Sequence, residues 1–414
     1  MSIAANVGKT HGKLAPALAR QRVAQQMDAV RAAPLDVAVV TCREAFEALE
    51  PEWGDLLERA AKPWQAFQSF HWHWHWCNHY LDAKRHRLAI VTGRAGNRLV
   101  MLWPMIVEQR LGFRTAMLMG APMSQYGDVL LDPAAGDIVD LLTTGWQTVV
   151  RDIGADLVLL RKVRVDSFLA QLLNQLRSTP IALHEAPYLD LSSAPDFSTY
   201  EQRYPGKDRK NRRRQRKRLS EIGDVGFRRL RGAQATAESL ARAMEHKRRW
   251  LHERGLASVA FANDTPEAFF RDAVASLRHP VGCCIAELTL RDAPVAVAIS
   301  LVRGRHQAVH ITAYDSAYEK CAPGALLFED MISAAKGDGI DTFDLLAPTF
   351  PYKMTWADGV VAVNDWALPI GLKGRLLHGV YITGLRPRLQ WLMNEGPQPV
   401  RKVMHWLLCR LHRA

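Results

Sequence analysis

The stretch AYDSAYEKCAPGALL, residues 313–327, decides the fold. Its first residues close an apolar run, HQAVHITAY (306–314), that reads as a strand. Pro323 and Gly324 then stand before a second apolar run, which predicts a helix over 325–336. A helix start with free backbone amides and a favourable dipole can hold a pyrophosphate. Gly324 lets a ligand approach the backbone, and Pro323 sets the turn without needing an amide. An ordinary loop-to-helix start is the alternative reading.

Working outward, CCIAELTL (283–290) turns at Arg291–Pro294 into the strand VAVAISLV (295–302). Helices are predicted before it, at about 236–253 and 265–277. After it come the strands DTFDLLA (341–347) and VNDWALPI (363–370). The first half has the same order. LDVAVVTC (35–42) is a strand, a helix covers about 43–61, and FQSFHWHWHWCNHYL (67–81) fits a helix with Ser69 as N-cap. RLAIVTG (87–93) and RLVMLWPMIV (98–107) form a hairpin, followed by TAMLMG (115–120) and YGDVLLDP (126–133). Helices at 136–152 and 166–177 alternate with strands at 156–163 and 188–192. The two hairpins lie about 196 residues apart, so the chain reads as two copies of one α/β unit with mixed sheets.

The chain has 414 residues, enough for two sizeable cores. No apolar run is long enough to span a bilayer, and no signal-peptide pattern opens the chain. The expectation is therefore a cytoplasmic protein, docked peripherally, if at all, on the inner face of a membrane. Six scattered cysteines suit a reducing compartment and give no zinc framework. The net charge of +12 is concentrated. Arg203–Arg231 holds 13 Lys/Arg against 3 Asp/Glu, residues 373–414 carry +7 and residues 1–34 carry +4. The remaining body is mildly acidic, so the basic character belongs to patches.

KDRKNRRRQRKRL, 207–219, is a solvated helix or a face for phosphates, with Arg212 and Arg213 as its binding candidates. No helix-turn-helix, finger or RNP pattern accompanies it, which argues against sequence-specific DNA binding. As a helix, 67–81 lines up His71, His75 and His79, but no acid or cysteine completes a zinc set, so no metal is expected. In PVRKVMHWLLCRLHRA, Val400, Val403, Met404, Leu407, Leu408 and Leu411 follow helical spacing among basic residues. Such a helix docks on the body, on an anionic membrane surface or on a partner protein.

Several segments together resemble the GNAT acyltransferase superfamily, in the CelD-like branch whose two tandem lobes are arranged as in the Fem peptidyltransferases. They are Phe67–Ser69 with Trp72, APYLDL (186–191), the Arg-rich segment from Lys207, AYDSAYEKCAPGALL (313–327) and FDLLAPTFPYKMTWA (343–357). The chain departs from the pattern at Cys321 and Ala322, where Ser is usual, and lacks a glycine after Phe343–Asp344. The resemblance implies an extension (1–34), a structural first lobe (35–195), an acyl-CoA-binding second lobe (196–370) and a basic helical tail (371–414). It implies acyl transfer, as an N-acetyltransferase, from acetyl-CoA or another acyl-CoA to an amine or hydroxyl of a small-molecule or saccharide acceptor, in polysaccharide or envelope biosynthesis. The pyrophosphate would sit at Cys321, Pro323, Gly324, Ala325 and Leu326. Tyr314 or Tyr318 would protonate the leaving thiolate.

Other roles follow from the residues themselves. His310, mid-strand, is either a proton acceptor or a satisfied core histidine. Asp344 in an apolar strand needs a partner or a function; it is a general base, or it pairs with Lys353 structurally or as a substrate anchor. Tyr352 and Trp356 line an acceptor groove or pack in the core. Two other functions fit the same features: a tRNA-dependent aminoacyl transferase of the Fem type, with the Arg-rich helix on RNA, and a non-catalytic module gripping a polyanion or membrane.

Overall fold

A computed structural model describes residues 35–253 and 264–385, together with Arg388. The extension at 1–34 and the apolar spacing at 400–411 lie outside the described residues. The first half contains strands β1 (Leu35–Val40), β2 (His86–Leu88), β3 (Ile90–Ala95), β4 (Arg98–Trp103), β5 (Met105–Arg110), β6 (Phe113–Leu118), β7 (Leu130–Leu131), β8 (Leu157–Arg164) and β9 (Ala182–Asp190). Its main helices are α1 (Glu50–Ala60), α2 (Phe70–Tyr80), α3 (Ile138–Arg151) and α4 (Phe168–Gln175). The second half contains α5 (Gly206–Ser220), β10 (Val225–Arg231), α6 (Ala237–Glu253), α7 (Thr265–Ser276), β11 (Val281–Leu290), β12 (Ala293–Arg303), β13 (His306–Tyr314), α8 (Pro323–Gly337), β14 (Thr342–Asp344) and β15 (Gly359–Pro369).

Eleven strands form one sheet in the order β10-β11-β12-β13-β14-β9-β15-β8-β6-β5-β2, and β1-β3-β4-β7 form a second sheet. The fold is α/β with mixed sheets, as expected. β6 runs parallel to β8 in the first half and β13 parallel to β14 in the second. The final strands are exchanged. β9 of the first half pairs antiparallel with β14 of the second, and β15 of the second pairs antiparallel with β8 of the first. β9 and β15 then pair with each other at the centre. The exchange covers strand edges that each half alone would leave open.

Helices complete the junction. Trp72 of α2 meets Phe269 of α7 edge to face at 4.8 Å. His75 bonds Ser276 at 2.8 Å and His79 bonds Asp272 at 2.8 Å. His75 and His79 of the row therefore help seat one half on the other, while His71 faces Glu50 of the first half. Arg303 at the end of β12 donates to the carbonyls of Leu57 (2.8 Å) and Lys62 (3.0 Å) at and just past the end of α1, tying β12 to the first half.

Some expectations need correction. Of 126–133, only Leu130–Leu131 is strand; before it the chain turns, with the Gly127 amide bonded to the Lys162 carbonyl. Of 341–347, only Thr342–Asp344 is strand. Ser69 stands at the N-cap of α2 without a side-chain capping bond. β10 was not expected at all. The Arg-rich α5 is not wholly solvated: Arg212 bonds Glu329 at 2.6 Å and Arg216 bonds Asp330 at 2.7 Å, both acids on α8.

Candidate functional site

The site begins where two parallel strands part. β13 and β14 pair only from His306/Thr342 to Ala308/Asp344. Past that point no strand among the described residues lies beside this edge of β13. On its other edge the register with β12 shifts: Ile299 faces Ile311 while Ser300 faces Val309, so His310 is an extra residue. Such a bulge re-aims a side chain. A cavity of about 160 Å³ lies in the opening, walled in part by His310, Thr312, Phe328, Lys353, Lys247 of α6 and Gln125 of the first half.

His310 is held among Phe67, Trp72 and Phe270. Its Nε2 lies 2.6 Å from the Met123 carbonyl, so Nε2 carries the proton, and among the described residues Nδ1 has no hydrogen-bond partner. Burial lowers its pKa to about 4. The ring is neutral at pH 7, and Nδ1 is an acceptor awaiting a donor.

Asp344 and Lys353 do not pair as expected. The Asp344 carboxylate is fully buried and accepts from the Tyr126 hydroxyl at 2.7 Å and the Leu346 amide at 2.8 Å. Arg164 and His306 approach it at 3.4 Å each. Burial acts to raise its pKa, but these partners outweigh it and hold the carboxyl below the usual range. A carboxylate so held is a weak base and a strong tie between halves, since Tyr126 and Arg164 belong to the first. The Lys353 ammonium instead donates to the carbonyls of Leu346 (2.7 Å) and Pro348 (3.0 Å), and burial lowers its pKa to about 8. The chain turns back directly after β14, which brings those carbonyls to Lys353, while Asp344 acts on the ammonium through its charge and not through a hydrogen bond.

The helix start resembles the expected cradle. Ala322 takes a left-handed conformation (φ 48°) and α8 has no side-chain cap. The amides of Ala325 and Leu326 bond the Ala322 carbonyl at 3.0 and 3.2 Å, which leaves, among the described residues, the Gly324 amide at this turn. A Cβ on Gly324 would lie 3.2 Å from the Tyr314 ring. The Tyr314 hydroxyl donates to Glu319 at 3.1 Å. Cys321 and Leu326 point into the core, so only their backbone is available.

Of the candidates for acceptor contact, Tyr352 lines the cavity and is half exposed. Trp356 is buried beneath the Arg212 guanidinium, 4.8 Å from its ring, and Arg212 is itself buried against Glu329. Both pack away from this cavity, which for Trp356 is the core alternative. Arg213 is exposed on α5. Sequence reasoning missed Lys247, Gln125 and Lys162. Lys162 donates to Gln125 Oε1 at 2.7 Å and to the Ser124 carbonyl at 3.2 Å. Burial lowers its pKa to about 8. A lysine within the apolar run of β8 was a signal that could have been read.

The equivalent place in the first half is closed. After β6 the chain folds back, and Gly127 bonds the Lys162 carbonyl at 2.9 Å. A Cβ there would lie 2.5 Å from the Arg161 carbonyl. The start of α3 is capped by Asp137, which accepts from the amides of Val139 (2.9 Å) and Asp140 (3.1 Å).

Among the described residues no helix is long and apolar enough to cross a membrane. No curated protein matches the chain. In overall structure it is similar to FemX, with a TM-score of 0.56 at 9% identity over 83% of this chain and 99% of that one. It is also similar to the C-terminal domain of a putative lysylphosphatidylglycerol synthetase from Agrobacterium fabrum, with a TM-score of 0.50 at 14% identity over 82% and 98%. A conserved protein of unknown function from Bacteroides thetaiotaomicron gives 0.50 at 10% identity over 80% and 100%. These likenesses establish the fold. Residues 206–354 match the family model of the acetyltransferase (GNAT) domain, and this stretch contains the parted strands, the bulge at His310 and the helix start at Gly324.

Proposed function

We propose that the protein is an acyltransferase whose second half binds an acyl-CoA and passes the acyl group to an amine or hydroxyl. The observation that carries this reading is the parting of β13 from β14 beside the His310 bulge. The freed edge of β13 polarises a thioester carbonyl. The nucleophile attacks that carbon; its bond to nitrogen or oxygen forms, the carbon–sulfur bond breaks, and the sulfur leaves with the electron pair. The nucleophile's proton goes to water or, transiently, to His310 Nδ1. The thiolate takes a proton from the Tyr314 hydroxyl, which is then restored from solvent. The pyrophosphate rests at the Gly324 amide and the start of α8. Acetyl is the simplest acyl group to test, and a saccharide acceptor in polysaccharide or envelope assembly, as in the CelD-like branch, is the first class to screen.

Thermal and urea unfolding with acetyl-CoA tests the donor. At 100 times its dissociation constant the ligand should stabilise the fold by about 2.7 kcal/mol. Absence of any shift up to millimolar acetyl-CoA would overturn the reading.

One observation favours a second reading, aminoacyl transfer from tRNA of the Fem type. Lys207, Lys210, Arg214 and Lys217 form an exposed row on α5, while Arg212 and Arg216 anchor the opposite side. RNA binding through this row should weaken linearly in log affinity against log salt. Binding indifferent to salt would exclude it.

A further inference from the structure

Resting on the acyl-transfer reading, we propose that the acceptor carries an oxyanion, a carboxylate or a phosphate, held in the cavity beside His310 between the ammonium groups of Lys247 and Lys353. None of the residues lining this cavity is acidic. Lys353 directs two N–H bonds at the neutral carbonyls of Leu346 and Pro348, which leaves its third for a ligand. Lys247 enters from α6 and donates to the Thr312 carbonyl at 3.1 Å. Lys162 stands behind the wall and occupies Gln125 Oε1, so the Gln125 amide hydrogens remain for another acceptor. The Lys353 ammonium feels the attraction of Asp344 and the repulsion of Lys247, and a bound anion offsets that repulsion.

His310 adds the complementary group. His310 lines the same cavity, and its buried Nδ1 has no hydrogen-bond partner among the described residues, so a small turn of the ring lets it accept from an N–H or O–H next to the anion. Donors for an oxyanion and one acceptor for a neighbouring N–H or O–H together match an amino acid, a hydroxy acid or a phosphorylated amine or alcohol. The cavity of about 160 Å³ suits a compact group. The ligand is taken as the acceptor because Gln125 puts the first half in the wall, and an acceptor nucleophile has to meet the thioester carbonyl beside the freed edge of β13.

Trace amine labelling of the full chain, read by mass spectrometry, tests the proposal. Acetate and inorganic phosphate are the probes; glycerol and sodium chloride at matched ionic strength are the controls. A probe at about ten times its dissociation constant should slow labelling of Lys247 and Lys353 about tenfold. Exposed Lys207 and Lys210 should be unaffected, and the stronger probe identifies which oxyanion fits. Equal slowing at all four lysines, or none at any, overturns the proposal. Lys353→Met should abolish protection of Lys247, and Lys247→Met protection of Lys353; full protection in both variants also overturns it. Acetyl-CoA unfolding shifts on the same samples separate the two readings. A shift without lysine protection sinks the oxyanion site alone; protection without a shift sinks the acyl-CoA donor alone.

Discussion

The two halves repeat one topology and differ at three matched places. In the second half the parallel strands part around a cavity, the strand beside them carries a bulge, and the following helix starts uncapped at Ala322. In the first half the gap is filled by the turn through Tyr126 and Gly127, the β5–β6 ladder keeps its register, and α3 starts under the Asp137 carboxylate. All three differences remove a feature that an anionic thioester would use. A repeat in which one copy is closed and the other open shows that topology alone does not make a site. The closed copy serves the junction instead, where its Tyr126 and Arg164 reach across to Asp344 and tie the halves together.

Breaking that tie should have the largest effect. Asp344→Ala leaves Arg164 and His306 facing a buried void, and removing one partner of a buried pair costs about 3–5 kcal/mol. Urea unfolding measures it. A loss of only a few tenths would show that the strand exchange, not the carboxylate, joins the halves. The depressed pKa of Asp344 gives this contribution a pH limit. It is present above the unfolded value near 4 and is lost as pH falls through the lower folded value.

The bulge makes a second test. His310 titrates at about 4 when folded and near 6.5 when unfolded. Between these values only the unfolded chain holds the proton, so stability falls as pH drops, by about 1.4 kcal/mol per pH unit from this group. Across the window this amounts to about 3 kcal/mol. His310→Gln should remove that slope; an unchanged slope would mean the ring is protonated in the folded state and is no acceptor.

Gly324→Leu tests the open helix start. The side chain would press on Tyr314 and cover the amide, so the acetyl-CoA stabilisation of about 2.7 kcal/mol should vanish while the ligand-free protein stays folded. Retained stabilisation would move the donor away from α8.

Much of this comparison was legible in the sequence because it is local. Apolar periodicity located β13 to its ends, and Pro323-Gly324 marked the start of α8. What failed was pairing at a distance. Asp344 was matched with Lys353, nine residues away, but its partners Tyr126 and Arg164 are 218 and 180 residues away. β10 stayed hidden because Arg228, Arg229 and Arg231 mask its alternation. They are tolerated there only because Glu287 and Asp338 meet them from other elements. The exchange of β9 and β15 leaves no trace in either strand's pattern, since a strand flanked on both sides reads the same whichever half supplies its neighbours.

The smallest expected effect sharpens the comparison most. Asp137→Ala removes a helix cap and should cost about 1 kcal/mol. It also exposes the amides of Val139 and Asp140, giving α3 the bare start that α8 already has. If the cap alone closed the first half, this variant would bind a second acetyl-CoA, and calorimetry would count two per chain. The packing around Gly127 predicts otherwise. The thioester arm needs the gap between parallel strands, and that gap remains filled when the cap is gone. The expected count stays at one, with the wild-type stabilisation by donor unchanged. A count of two would assign the difference between the halves to a single carboxylate, and a count of one assigns it to the turn that occupies the space between β6 and β8.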